Sequence, residues 1–228
     1  MFSRKLIGTL AVIAAASAVP VASAQTEDPI PLAECIGQQA TIVGSPDDDV
    51  VRGTSGPDVI VASDEGQLIL ARGGDDVICG GAGNDRIFGG GGNERVHAGP
   101  GDDLVVGGAG DDTFLHGDIG DDEISGGPGQ DDLFGGGDDD DLFGGTGVDI
   151  MHGSDGVDRL AAGPGNDSLF GNAGNDRLEG GRGDDVRLHG GDNDDHLDGG
   201  PGEDEECLGA DVNDKDGVAD VDQVRRCE

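Results

Sequence analysis

The chain contains no tryptophan and no tyrosine, and only 6 phenylalanines among its 228 residues. A core anchored on large aromatic side chains is therefore excluded. Basic residues are also scarce: 13 Lys and Arg stand against 49 Asp and Glu, giving a formal net charge of −36. Such a polyanion repels phosphates, which excludes nucleic acid as a partner and favours cations or basic surfaces. Long apolar runs are missing after the N-terminal segment, so no membrane span is expected in the remainder of the chain. Few aromatics together with high net charge ordinarily signal disorder. The 47 glycines make ordering costlier still, because glycine loses the most backbone freedom on folding. Composition alone thus describes a solvated acidic tail. Spacing overturns that description.

From Gly44 to Cys207 one nine-residue unit, Gly-Gly-x-Gly-x-Asp-x-apolar-x, recurs eighteen times. Gly80 to Phe88 is a complete copy, and Gly126 to Phe134 is another. The apolar eighth position runs Val51, Ile60, Ile69, Ile78, Ile87, Val96, Val105, Phe114, Ile124, Leu133, Leu142, Met151, Leu160, Leu169, Leu178 and Leu197, broken at Arg187 and Glu206. Position six is acidic in every unit but the one carrying Gln67. Phase is kept apart from one-residue insertions, read at His116 and His189.

A disordered tail has no reason to hold phase in this way, and three glycines per unit forbid helices. The spacing predicts an all-β solenoid of short strands joined by tight glycine turns. Positions seven to nine are extended, so alternation sends position eight inward and its neighbours outward. Glycines at positions one, two and four are expected to supply positive-φ turn conformations. Consecutive turns fall on opposite sides of the coil, so each unit stacks on the unit two ahead. Glycine loops expose carbonyl oxygens, and the position-six carboxylate adds an anionic oxygen at the turn's exit. Calcium, which takes six to eight oxygens, suits such a turn better than magnesium, which keeps an octahedral shell with retained waters.

These units resemble the RTX, or hemolysin-type, calcium-binding nonapeptide repeats. The resemblance implies a parallel β-roll, a right-handed β-helix solenoid of about eighteen repeats with two per coil. It also implies multiple Ca2+ ions held between turns by carbonyls and position-six aspartates. Carried over position by position, those aspartates are Asp58, Asp76, Asp85, Asp103, Asp112, Asp122, Asp131, Asp140, Asp149, Asp158, Asp167, Asp176, Asp185 and Asp195. Asp49 and Asp204 occupy the same position in the end units. Gln67 replaces the aspartate in the unit Ala62 to Leu70, Glu94 is longer than the family pattern, and the units opening at Gly135 and Gly190 lack the fourth-position glycine.

Residues 1–24 read as a signal peptide: Arg4 and Lys5, an apolar stretch from Leu6 to Val19, then Ala22-Ser23-Ala24 as the cleavage site. The expected organisation is an N-terminal cap over 25–43, the calcium-binding roll over 44–207 and a C-terminal cap over 208–228, in a secreted, extracellular protein. Export permits disulfides. The positions of Cys35, Cys79, Cys207 and Cys227 suggest one staple at each end, Cys35–Cys79 and Cys207–Cys227, among three connectivities that four cysteines allow. A helix-loop-helix calcium loop at Asp211 to Gly217 fails, because its first and twelfth ligands would be Val212 and Gln223.

The five histidines, His97, His116, His152, His189 and His196, read as scattered solvated residues. Adjacent aspartates such as Asp102-Asp103 do not flank a substrate, and little chain lies outside the repeats to form a catalytic domain. The expectation is a non-enzymatic calcium-binding scaffold or buffer. The alternative is an adhesion module that uses an outer face against a cell surface or basic extracellular partner. Position seven (Val77, Arg86, Arg95, Leu104, Thr113, Glu123) shows no array of identical side chains to support it.

Overall fold

The computed structural model describes residues 34–208 and the strand Gln223–Arg225. The proposed signal peptide, the segment up to Pro31 and the Asp211–Gly217 tail lie outside the described residues. Among the described residues there is no helix, and none is long and apolar enough to cross a membrane.

Strands alternate between two parallel ten-stranded sheets, each strand pairing with the strands two before and two after it. One sheet, here the first, starts at Ile42–Val43 and includes Arg95–Pro100, Phe114–Ile119, Asp132–Gly137, Ile150–Asp155, Ser168–Ala173 and Arg187–Asp192, ending at Cys207–Leu208. The second starts at Val50–Arg52, includes Arg86–Gly91, Leu104–Ala109 and Asp141–Thr146, and ends at Gln223–Arg225. This is the parallel β-solenoid that the nonapeptide period predicts, about nine turns long. It forms because each unit buries one apolar side chain and cannot do so alone; stacking supplies the neighbour.

The core is one file of apolar residues from each sheet. Ile60, Ile69, Ile78, Ile87, Ile124, Leu133, Leu142, Met151, Leu160, Leu169 and Leu178 are all fully buried. Register aligns them directly, as in Leu142 with Leu160 and Met151 with Leu169. Position one, two residues beyond position eight, also points inward. There the interior admits only glycine or alanine, with Ala71, Ala98 and Ala162 fully buried.

Three expectations are corrected. The insertions do not fall at His116 and His189. Leu115, not Phe114, is buried and pairs with Val96 and Leu133, so Phe114 sits at position seven and His116 at position nine. The extra residue is Thr113, whose N–H donates to the Glu94 carbonyl at 3.2 Å from within the turn. Val186 plays the same part before Leu188, and its side chain is exposed. Both insertions are absorbed in turns because an extra residue inside a strand would flip every following side chain to the other face.

The break at Glu206 closes likewise, since Cys207 pairs with Leu188 and packs against the core. Finally, position one does not supply positive φ; positions two and four do, as at Gly108 (φ 121°) and Gly110 (φ 139°).

At the N-terminal end, Glu34–Cys35 and Gln38–Gln39 form a short antiparallel pair, and Cys35 is disulfide-bonded to Cys79 with Cα atoms 5.7 Å apart. Cys207 is also disulfide-bonded. Its expected partner, Cys227, lies outside the described residues.

Candidate metal centre

All fourteen carried-over aspartates are buried, at 0–7% exposure, in two stacks, one in the turns leading into each sheet. One stack runs Asp85, Asp103, Asp122, Asp140, Asp158, Asp176 and Asp195. The other runs Asp58, Asp76, Glu94, Asp112, Asp131, Asp149, Asp167 and Asp185, continuing to Asp204.

Each stack is a hydrogen-bonded ladder. The backbone N–H of one position-six residue donates to Oδ1 of the aspartate one coil on: Asp103 to Asp122 at 2.8 Å, Asp122 to Asp140 at 2.9 Å, Asp140 to Asp158 at 2.9 Å. The opposite stack repeats this from Asp131 to Asp149 at 3.0 Å and from Asp149 to Asp167 at 2.9 Å.

Only one oxygen of each carboxylate is used in this way. Oδ2 of Asp76, Asp85, Asp103, Asp122, Asp131, Asp140, Asp149, Asp158, Asp167, Asp176 and Asp185 is buried with no hydrogen-bond partner. A buried anionic oxygen without a partner is costly, and here the cost recurs along both stacks. Position-one glycine makes room for it, since a β-carbon at Gly107, Gly117 or Gly135 would collide with Oδ2 of the aspartate five residues on.

Titration behaviour follows from the same burial. In the metal-free protein, desolvation raises Asp103, Asp122, Asp131, Asp167 and Asp176 from 3.8 to about 7, and Asp140 to about 8. The backbone hydrogen bond opposes this, and repulsion from carboxylates one coil away reinforces it. Two carboxylates about 5 Å apart repel by roughly 3 kcal/mol at an effective dielectric near 20. Burial also dominates at Glu94, and Asp112 beside it pushes the same way.

The donor set suits a hard cation. Each stack offers anionic oxygens without partners, and the same turns stack backbone carbonyls coil on coil. The carbonyl of Gly92 faces Gly110, and that of Gly110 faces Gly129, so closely that a β-carbon on either glycine would strike it. Gln67 departs from the pattern. At the one position six without a carboxylate, its amide Nε2 donates to the turn carbonyls of Ser45, at 3.0 Å, and Asp48. Its Oε1 accepts from the Ser63 N–H at 2.9 Å, so the neutral amide satisfies this turn by itself.

The carried-over residues are not all equivalent. Oδ2 of Asp58 accepts from the Thr54 N–H at 2.7 Å and the Thr54 hydroxyl at 3.0 Å, so its turn is already satisfied. Asp49 is exposed, although its carbonyl accepts from the Leu68 N–H as the other position-six carbonyls do one coil on.

Two features escaped sequence reasoning. The first is an exposed ladder at position five, where Asp121 N–H donates to Asp102 Oδ1 at 3.3 Å and Asp139 N–H to Asp121 Oδ1 at 3.1 Å. The doubled Asp-Asp pairs are its signal: one residue of each pair builds the inner ladder and the other the outer.

The second concerns the histidines, four of which are not scattered; the fifth, His196, lies on the second sheet in register with Arg177. His97, His116, His152 and His189 all occupy position nine of the first sheet, in register with Phe134 and Phe170. Their rings form one column, with centroids 5.2 Å apart for Phe134 and His152 and 4.7 Å for His152 and Phe170.

The profile of the RTX calcium-binding nonapeptide repeat matches residues 41–64, 68–87, 88–118, 116–151, 152–186 and 187–205. No curated protein matches the chain significantly. With the repeat profile covering most of the sequence, and with the carboxylate stacks where those repeats require them, the chain belongs to the RTX calcium-binding nonapeptide repeat family.

Proposed function

We propose that this is a secreted calcium-binding protein whose ions drive its folding, acting as an extracellular scaffold or calcium buffer without catalysis. The observation that carries the reading is the row of buried Oδ2 atoms, each left without a partner by a ladder that uses only Oδ1. The proposed ligands are the position-six aspartates from Asp76 to Asp195 in the two stacks, together with turn carbonyls. Bound calcium supplies the positive charge that neutralises adjacent carboxylates and ties one coil to the next. The chain's own part is to hold the oxygens in register, exclude side chains from the turn with glycine, and keep each carboxylate desolvated.

Asp58 and Gln67 are left out of the ligand set, because their turns are satisfied by Thr54 and by the Gln67 amide. Affinity in the range of extracellular modules, about 10⁻⁴–10⁻³ M per site, is expected. Equilibrium dialysis of the mature chain against ⁴⁵Ca2+ tests the reading directly. Several ions per chain support it, and none at millimolar calcium overturns it.

The adhesion alternative has one observation in its favour, the in-register ring column His116, Phe134, His152 and Phe170 on the outer face of the first sheet. Pull-down on insoluble polysaccharide, compared between the native chain and a Phe134→Ser/Phe170→Ser variant, separates the two. Loss of binding in the variant supports adhesion, and absence of binding by the native chain removes it.

A further inference from the structure

The position-nine column contains a cluster whose chemistry differs from that of the calcium turns. His97 lies on Arg95–Pro100 directly across from His116 on Phe114–Ile119. Asp118 is two residues beyond His116, so the strand's alternation brings its side chain to the same outer face. Nδ1 of His97 is 3.0 Å from Asp118 Oδ2, and Nδ1 of His116 is 3.3 Å from Asp118 Oδ1. One ligand atom from each of the three residues falls within 4.8 Å of the others.

We propose that His97, His116 and Asp118 form a transition-metal site for Zn2+ or an ion of like preference, separate from the calcium turns. A tetrahedral ion with bonds of about 2.0–2.2 Å holds its ligand atoms roughly 3.3 Å apart, close to the two nitrogen-to-carboxylate separations of 3.0 and 3.3 Å. Two imidazoles and one carboxylate suit Zn2+, Ni2+, Cu2+ or Fe2+, whereas calcium takes oxygen alone. Three protein ligands leave a coordination position for water or an incoming group.

Hydrogen bonding does not account for the cluster. Both Nδ1 atoms are buried and lack a partner of acceptable geometry, although the carboxylate is close. An ion would give both nitrogens the partner they lack.

The rings are held in place by aromatic neighbours. Phe114 stacks on His116 with centroids 5.3 Å apart and meets His97 edge-on at 6.4 Å, while Phe134 lies 6.0 Å from His116 and 5.6 Å from Phe114, closing a cluster of rings. Asp118 is the less expected member. Its φ is 95°, and its register neighbours in the same column are Gly99 and Gly136, both at positive φ. An L side chain is strained there. Ser154 and Asn172 tolerate the same backbone elsewhere in the column, so the strain alone singles out nothing; the two imidazoles facing Asp118 do.

The test is calorimetric titration of Zn2+ into the full chain held in saturating millimolar calcium, so that the acidic turns do not compete. Native protein, Asp118→Gly, His116→Phe and His152→Phe are compared. Asp118→Gly restores the glycine its neighbours carry, and His116→Phe copies Phe134, so both variants keep the roll; unchanged calcium-dependent circular dichroism checks this. Removing a direct ligand should weaken Zn2+ at least as much as removing its outer support, about 10–100-fold, while His152→Phe leaves it unaltered. Failure of the native protein to bind Zn2+, or equal affinity in native, Asp118→Gly and His116→Phe proteins, overturns the proposal.

Discussion

The backbone N–H of Asp140 donates to Oδ1 of Asp158 one coil on, at 2.9 Å, while Oδ2 of Asp158 lies buried without a partner. That division of one carboxylate into a structural oxygen and an unsatisfied one recurs along both turn stacks. It makes the fold depend on whatever neutralises the second oxygen.

Acid should partly replace calcium. The position-six carboxyls have raised folded-state values, about 7 for Asp103, Asp122 and Asp176 and about 8 for Asp140, against 3.8 unfolded. The metal-free folded state therefore binds protons more tightly than the unfolded state does. Its stabilisation is complete below about pH 4 and is lost as pH rises through about 6–8. In chelator, strand content by circular dichroism should increase from pH 8 to pH 5. Calcium affinity should fall over the same interval, because ion and proton compete for one oxygen. Strand content that is flat or rises with pH in chelator would contradict this.

Gln67→Asp should add a site. The Gln67 amide donates to the Ser45 and Asp48 carbonyls, and a carboxylate there would need a cation in place of those hydrogen bonds. The variant should bind one more calcium per chain by dialysis and be less stable than native protein in chelator. Identical stoichiometry would show that the first coils lack the remaining ligands.

Gly147→Ala probes the fourth-position glycine. Gly147 has φ 144°, and a β-carbon there would strike the Gly129 carbonyl one coil below. A backbone strain of about 1–3 kcal/mol is expected, with the displaced carbonyl adding to it. Thermal unfolding in saturating calcium should show a lower midpoint and weaker calcium binding. An unchanged midpoint would mean the turn relaxes freely.

Breaking the N-terminal staple should loosen the end of the roll, not its centre. Cys35–Cys79 closes a loop over the first coils with a sequence separation of 44. A Cys35→Ser/Cys79→Ser variant should lose about 2–4 kcal/mol and exchange amide hydrogens faster around Ile60 and Ile78, with Leu142 and Leu160 protected as before. Equal loss of protection along the whole roll would indicate that it unfolds as one unit.

The fold was legible because one rule repeats: an apolar residue every nine, bracketed by glycine, leaves few other ways to bury it. The ladder aspartates were legible for the same reason. What misled was local. Phe114 and Leu115 are both apolar, so sequence alone could place either inside; the narrow interior takes Leu115, and the extra residue moves to Thr113 in the turn.

The histidine column was hidden by the choice of period. Read every nine residues, position nine alternates His97, Val106, His116, Ser125, Phe134, Phe143, His152, Ala161, Phe170. Sorted onto two sheets, every second residue belongs to one face, and the mixture resolves into aligned rings. Likewise, no sequence rule distinguishes Asp58 from Asp76. That difference depends on Thr54 reaching across its own turn.

The central claim is that calcium holds together stacks of carboxylates which otherwise repel. Far-ultraviolet circular dichroism and sedimentation of residues 25–228 at pH 7.5, in excess EGTA and again in millimolar calcium, test it most directly. The account predicts an expanded chain with little strand signal in EGTA and a compact, strand-rich one after calcium is restored. A compact chain with the same strand signal in both would contradict it.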